Sequence, residues 1–372
     1  MQALLVSPLP PQPTGLADYA RRIIHLTSGA VHWTVAYPDG AEPIPECDCI
    51  PISELKKGHM TGTVVYQAGN SPHCAQVLDT LLQYPGKVLF HETNLHHVLR
   101  HKAHSTGNWD AYNEHVRTDY GSQASEVLKK MGKKAQSLPE YDLRLRKFPL
   151  IGKIESSSTS MAVLSDTARI HLEKRFPGRK IRRMGFLADF LDRVKPPESS
   201  YKGTVIGIAG TFHYGRNWEA MAEAVSELRK TRDCRLLAVG DGWPDTGLRW
   251  IEVTGRLPDY QFREQIELFH VALDLRHDTC SETSGSMMDI LRSGKPAVIS
   301  DHGTFRDLPA DAVVRVPHES GALGAFAAME YLLDNPPVAA STGKNAAAYF
   351  AEVSNREKCL EQWIDFLRAG RE

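Results

Sequence analysis

The chain has 372 residues, 42% of them hydrophobic and 24% charged, with a formal net charge of -1. That length exceeds one ordinary core and predicts two domains, and the balanced composition excludes a disordered chain. Near-neutrality excludes a general attraction to nucleic acid, and six scattered cysteines that form neither a disulfide framework nor a zinc pair point to a reducing cytoplasm.

The opening MQALLVSPLPPQPTG lacks a basic start and a full apolar run, so it does not read as a signal peptide. No apolar stretch approaches the roughly 20 residues of a membrane-spanning helix, which leaves only peripheral membrane contact. Short apolar runs alternate with longer helical patterns, as in parallel-sheet α/β domains. Strands are expected at residues 3–6, 31–36, 62–66, 87–90 and 161–164. Residues 100–147 are polar, with few regular apolar positions, and read as a helical insert or lid. Lys195-Pro196-Pro197-Glu198-Ser199-Ser200 has the prolines and small polar residues of a linker.

The pattern then restarts. Residues 204–209 read as a buried strand, and 217–230 as a helix with Met221, Ala224, Val225 and Leu228 on one face. Strands follow at 235–239, 251–253, 271–275 and 296–300. A helix at 260–270 should turn Phe262, Ile266 and Phe269 inward. The last helix, 355–368, is expected to pack back onto the first domain. The division is therefore 1–195 with 355–372, and 201–354: an α/β chain of two doubly wound domains facing across a cleft. Ligands of such sheets sit beyond the carboxyl ends of the strands.

Two strand-to-helix turns carry chemistry. In Gly210-Thr211-Phe212-His213-Tyr214-Gly215-Arg216-Asn217, backbone N–H groups at a helix start attract phosphate and Arg216 adds a full charge; a plain turn with a solvated Arg is the bland alternative. In Cys280-Ser281-Glu282-Thr283-Ser284-Gly285-Ser286-Met287-Met288-Asp289, the Thr283-Ser284-Gly285-Ser286 run lets an anion approach the backbone. Glu282 and Asp289 can accept hydrogen bonds from sugar hydroxyls. Here the bland alternative is a helix cap. Dinucleotide and P-loop fingerprints are both missing.

These segments resemble glycosyltransferase family 4, of GT-B fold, over nearly the whole chain. SPLPPQPTGLADYARRI, GNSPHCAQVL and LFHETNLHHVL are similar to its N-terminal domain. VIGIAGTFHYGRNWEAMAEAV, RLLAVGDG and the stretch from VTGRLPDYQFREQ to SETSGSMMDILRSGKPAVISD are similar to its donor domain. The resemblance implies a retaining, metal-independent transferase of the polysaccharide-building type, without a covalent enzyme intermediate. It needs no cofactor: the nucleotide diphosphate-sugar is a substrate, and the acceptor is a saccharide or a lipid-linked saccharide. Thr211 and Arg216 stand where the family has Arg and Lys on the donor diphosphate. Glu282 matches the glutamate that contacts the transferred sugar. Asp289 is the match for the ribose-binding acid, one residue short of the family spacing. His91 matches a sugar-facing histidine and Gly15 a loop glycine near the donor phosphate. Gly255 and Arg256 match the segment that reads the base. A nucleotide-sugar epimerase of the same fold and a non-catalytic sugar- or nucleotide-binding protein remain as alternatives.

His97, His101 and His104, near His91, His96 and His115, have a spacing that would suit zinc. No Cys or acid stands at matching spacing, so a solvated helix face is the preferred reading and no metal site is expected. Two basic tracts, Lys129 to Lys147 and Arg169 to Arg183, lie in the first domain. They read either as solvated surface or as a peripheral contact with an anionic inner leaflet.

Overall fold

The structure, a computed structural model, describes residues 1–60, 62–131, 147–188, 194–198, 201–213, 215–277 and 283–370. It divides into two units: Met1–Ala188 with Cys280–Thr283 and Ser354–Glu372, and Asp189–Thr279 with Ser284–Val353.

The first unit is built on seven parallel strands: β1 (Gln2–Val6), β2 (His32–Tyr37), β3 (Asp48–Pro51), β4 (Thr63–Ala68), β5 (Gly86–Phe90), β6 (Ser158–Val163) and β7 (Ile181–Arg183). Their order is β3-β2-β1-β4-β5-β6-β7. The second has six: β8 (Thr204–Ala209), β9 (Cys234–Val239), β10 (Ile251–Val253), β11 (Val271–Asp274), β12 (Ala297–Ser300) and β13 (Val314–Val316), in the order β10-β9-β8-β11-β12-β13. In each sheet the chain builds outward on one side, returns, and continues on the other. The order reverses between β1 and β4, and again between β8 and β11. At such a point the two flanking connections diverge and leave a crevice at the strand ends.

The central strands are continuous apolar runs because helices cover both faces. All of β5 is buried, and β1 is buried from Ala3 onward. The strands missing from the sequence reading are β3, β7 and β13, all short edges. β3 and β13 are mostly half-exposed, and the three residues of β7 and β13 leave no period to detect.

Helix ends follow local chemistry. Thr14 caps Gly15–Thr27 and Asn217 caps Trp218–Leu228, the latter through Oδ1 to Ala220 N at 3.2 Å. Met221, Ala224, Val225 and Leu228 are fully buried. The helix expected at 260–270 spans only Asp259–Ile266: Phe269 is buried beyond its end, Phe262 is half-buried, and Arg263 takes an interior position instead.

The region read as a polar insert is helical over His96–Thr106, Trp109–Tyr120 and Ala124–Met131. It is part of the first unit's core, supplying Leu99, Ala103, Tyr112, Val116, Ala124 and Val127. Its apolar positions are harder to read because alanine, tyrosine and histidine side chains share the interior face with the leucine and valines.

Helix Arg356–Arg368 belongs to the first unit. Trp363, Phe366 and Leu367 are buried, Thr63 Oγ1 donates to the Leu367 carbonyl at 3.3 Å, and Gly185 N donates to Gln362 Oε1 at 2.7 Å. Among the described residues, no helix is long and apolar enough to cross a membrane.

Candidate functional site

The second sheet ends in a cluster of opposite charges at its reversal point. β11 is apolar through Leu273, then carries Asp274, with Arg276 two residues on. A spacing of two puts both side chains on one side of an extended chain. Arg276 grips Asp274 twice, Nε to Oδ1 at 3.2 Å and Nη2 to Oδ2 at 3.1 Å. Arg216 arrives from the turn after β8. Its backbone forms an antiparallel bridge with Arg276, and its Nη1 lies 3.5 Å from Asp274 Oδ1. All three are nearly sealed from solvent: Arg216 is 4% exposed, Asp274 1% and Arg276 2%. Burial alone pushes the Asp274 carboxyl up, but Arg216 and Arg276, with His213 behind them, outweigh it and hold the group below the usual carboxylate range.

Each arginine also reaches the start of helix Gly285–Ser293. Arg276 Nη2 donates to Ser284 Oγ at 2.9 Å, and Arg216 Nη2 to Ser286 Oγ at 3.2 Å. Ser284 is that helix's N-cap, accepting from Met287 N at 3.3 Å, and its Oγ lies 3.3 Å from Ser286 Oγ. The guanidinium of Arg216 stands 5.2 Å from the Trp243 ring centroid and that of Arg276 4.9 Å from Phe305. Gly210 makes room for this: its φ is +103°, and a Cβ there would lie 2.6 Å from Arg216 Nη2 and 2.7 Å from Ser286 Oγ. Two guanidinium groups, the Asp274 carboxylate between them, two hydroxyls and the positive end of a helix converge, leaving a net positive charge. Such a set suits a multiply charged anion, and can stabilise charge that builds on a departing phosphate.

The first unit places Gly15 after β1, at its own reversal, and His91 one strand beyond β4. His91 follows β5, and its Nε2 lies 2.7 Å from Gln67 Oε1, on β4. Gln67 Nε2 donates to Ser7 Oγ at 2.7 Å and to the Leu16 carbonyl at 3.3 Å. The ring of Tyr19 meets His91 edge-on at 4.8 Å. Burial pushes the His91 pKa down to about 3. Gly15 opens helix Gly15–Thr27, exposed, with open space where a Cβ would stand.

Of the residues expected in the donor domain, Arg216, Ser284 and Ser286 come together, and Gly285 begins the same helix. Thr211 is exposed in the turn and takes no part in the cluster. The second cation is instead Arg276, which the sequence reading passed over; the signal was Asp274-Leu275-Arg276 closing an otherwise apolar strand. Arg256 is exposed just past Gly255, whose backbone bridges Gly240. Asp289 is half-buried on a cavity of about 670 Å3, shared with Arg263, Glu267, Arg292 and Lys344, whose lining includes neither Arg216 nor Arg276. Thr283 Oγ1 is enclosed and has no hydrogen-bond partner among the described residues. Glu282 lies outside the described residues.

Of the three histidines expected on a solvated helix face, His104 is exposed and His97 and His101 are half-exposed, whereas the neighbouring His96 and His115 are buried. His96 is fully buried, with Nδ1 2.6 Å from the Phe148 carbonyl and Nε2 2.5 Å from the Tyr112 hydroxyl. Burial pushes His97 and His115 down to about 4, neighbouring cations adding to the shift. His96 lies on the inward face of helix His96–Thr106, and His115 on that of helix Trp109–Tyr120. Among the described residues, no three or more His, Cys, Asp or Glu side chains are grouped to hold a metal ion. Most of the first basic tract, 132–146, lies outside the described residues. In the second, Arg169 meets Asp166 and Glu173 at 3.0 Å, Arg179 meets Glu155 at 2.9 Å, and Arg175 pairs with Asp119.

No protein-family model and no curated protein matches the chain in sequence. In structure it is similar to sucrose-phosphate synthase from Thermosynechococcus elongatus, with a TM-score of 0.67 and 14% identity over 99% of this chain and 98% of that one. It is also similar to the Anabaena protein HepE in complex with UDP-glucose (TM-score 0.62, 9% identity, 99% of each chain). A third is WaaG, a glycosyltransferase involved in lipopolysaccharide biosynthesis (TM-score 0.60, 12% identity, 100% of each chain). At these identities the likeness is one of fold. The two doubly wound units are those of the GT-B fold.

Proposed function

We propose that this chain is a retaining glycosyltransferase of the family 4 type, moving a sugar from a nucleotide diphosphate-sugar to a saccharide or lipid-linked acceptor without a metal ion. The observation that carries this reading is the cluster of Arg216, Asp274 and Arg276, which meets Ser284 and Ser286 at a helix start. Structures of the same fold include one bound to UDP-glucose, so a nucleotide-sugar is the anion to test first.

In the transfer, the bond from the anomeric carbon to the diphosphate oxygen breaks and the acceptor hydroxyl forms a bond to that carbon. The nucleoside diphosphate leaves with the electron pair, and its phosphate takes the acceptor's proton. Arg216, Arg276 and the N–H groups near Gly285 and Ser286 stabilise the charge on the leaving diphosphate, the largest electrostatic contribution to such a step. In this reading they supply what a metal ion supplies elsewhere. Glu282 orients the transferred sugar and His91 hydrogen-bonds to it; Arg256 and Gly255 hold the base. The acceptor reaches the enzyme from the cytoplasmic side.

A panel of nucleotide-sugars scored by thermal stabilisation identifies the donor, because a ligand that binds only the folded state raises its apparent stability. The product is then assayed with saccharide and lipid-linked acceptors. Transfer that falls about 30- to 1,000-fold in Arg216→Ala and Arg276→Ala supports the proposal. Release of a rearranged free nucleotide-sugar without acceptor points to an epimerase, and binding without turnover to a non-catalytic protein.

A further inference from the structure

The hydrogen bonds around Gln67 have one self-consistent direction. The Pro8 carbonyl, which can only accept, lies 2.9 Å from Ser7 Oγ, so the Ser7 proton is committed there. Ser7 Oγ therefore accepts from its other neighbour, Gln67, at 2.7 Å. The Leu16 carbonyl, 3.3 Å from the same Gln67 atom, also only accepts. Turning the amide over would set Oε1 against two acceptors, so Nε2 belongs on that side. Gln67 Oε1 is then the atom that faces His91 at 2.7 Å, and His91 Nε2 must carry the proton. Gln67 is fully buried, which makes any mismatch in this chain costly.

We infer that Gln67 is a positioning residue that holds His91 as the neutral Nε2–H tautomer, so that His91 Nδ1 meets its ligand as a hydrogen-bond acceptor and selects for a hydroxyl. Nδ1 makes no hydrogen bond among the described residues, and His91 is only half-buried. Burial opposes a second proton on the ring, so near neutral pH His91 is neither a cation nor a proton donor through Nδ1. The same amide holds Leu16, next to Gly15, and so ties both expected residues of this unit to one side chain. Assigning the hydroxyl to a donor sugar rests on the proposed transfer function; the tautomer does not.

Protein labelled with 13C and 15N in histidine tests this, with the His91 signals identified by their loss in His91→Gln. The ring shifts should be those of the Nε2–H form, unchanged between about pH 5 and 8, the window in which an ordinary histidine titrates. Gln67→Leu should convert them to a tautomer mixture. Gln67→Glu should keep the Nε2–H form but bring a titration into the window, because a carboxylate favours the imidazolium. An Nδ1–H signal in the wild-type protein, a midpoint near the ordinary value, or a spectrum indifferent to Gln67→Leu overturns the inference. With the donor in hand, one deoxy-analogue of its sugar should bind about tenfold more weakly to the wild type and equally well to His91→Phe. Equal binding of every deoxy-analogue to the wild type removes the hydroxyl recognition. Absence of any nucleotide-sugar binding removes the transfer function while the spectra still decide the tautomer.

Discussion

Asp274→Asn keeps the shape of the β11 terminus and removes its charge. At the 3.5 Å between Arg216 Nη1 and Asp274 Oδ1, attraction in an effective dielectric of about 20 is roughly 5 kcal/mol. Arg276 adds two charge-assisted hydrogen bonds. Desolvation of the three groups offsets part of this gain. Removing one member of such a buried set leaves its partners facing each other and costs about 3–5 kcal/mol. Urea unfolding at pH 7 should therefore show the variant less stable by that amount. The pH dependence has a definite sign. The folded-state pKa of Asp274 lies below its ordinary 3.8, so its contribution is present above pH 3.8 and is lost as pH falls through the lower folded value. The gap between wild type and variant should be widest near neutrality and close in acid. Affinity for UDP should move the opposite way, about tenfold tighter at low salt, since no carboxylate then competes for the two guanidinium groups; calorimetry reads this. Equal stability at pH 7, a gap that persists unchanged into acid, or weaker UDP binding would refute the electrostatic reasoning.

Gly210→Ala should destabilise by about 1–3 kcal/mol from backbone strain at φ +103° and should weaken UDP binding further by displacing the Arg216 guanidinium; thermal melts and calorimetry measure the two effects, and wild-type affinity would show that Arg216 needs no such clearance. Glu282→Ala should abolish transfer while leaving the melting temperature within a few degrees, and near-wild-type turnover with the true donor would remove Glu282 from the site. The proposed transfer should survive chelation; loss of activity in chelator, restored by magnesium or manganese, would overturn the metal-independent reading.

The doubly wound pattern was legible wherever a strand was central. Val205, Ile206, Ile208 and Ala209 are buried and read as a core strand without help. Edge strands such as Ile181–Arg183 are set by the neighbour they pair with, β6, and leave little trace in sequence. The charged turn was legible around Arg216 and Ser284 to Ser286, because the turn and helix cap are local. Its second cation was not: Thr211 occupied the position where the resemblance led one to look, while Arg276 enters from a different strand and becomes visible only when β8 and β11 lie side by side. Gln67 was invisible for a related reason. A single glutamine in a strand has no signature, and its importance comes from Ser7, Leu16 and His91 meeting it from three separate segments. His96 misled in the other direction, since its residue type suggests a wet helix face where Tyr112 and the Phe148 carbonyl supply its partners in the interior.

The helix Arg356–Arg368 imposes an order on synthesis. Nearly all of the second unit leaves the ribosome as one stretch and can close its own sheet while translation continues, as domains generally do. The first unit begins earlier yet finishes later. Its sheet stays uncovered where Trp363, Phe366 and Leu367 will pack, and the Lys87 ammonium, 5.6 Å from the Phe366 ring in the finished fold, waits for that ring. Any fragment ending near residue 188 carries this bare apolar surface permanently. The N-terminal half should therefore aggregate when produced alone, and adding the helix as a separate peptide should rescue it, while residues 201–353 remain in solution on their own.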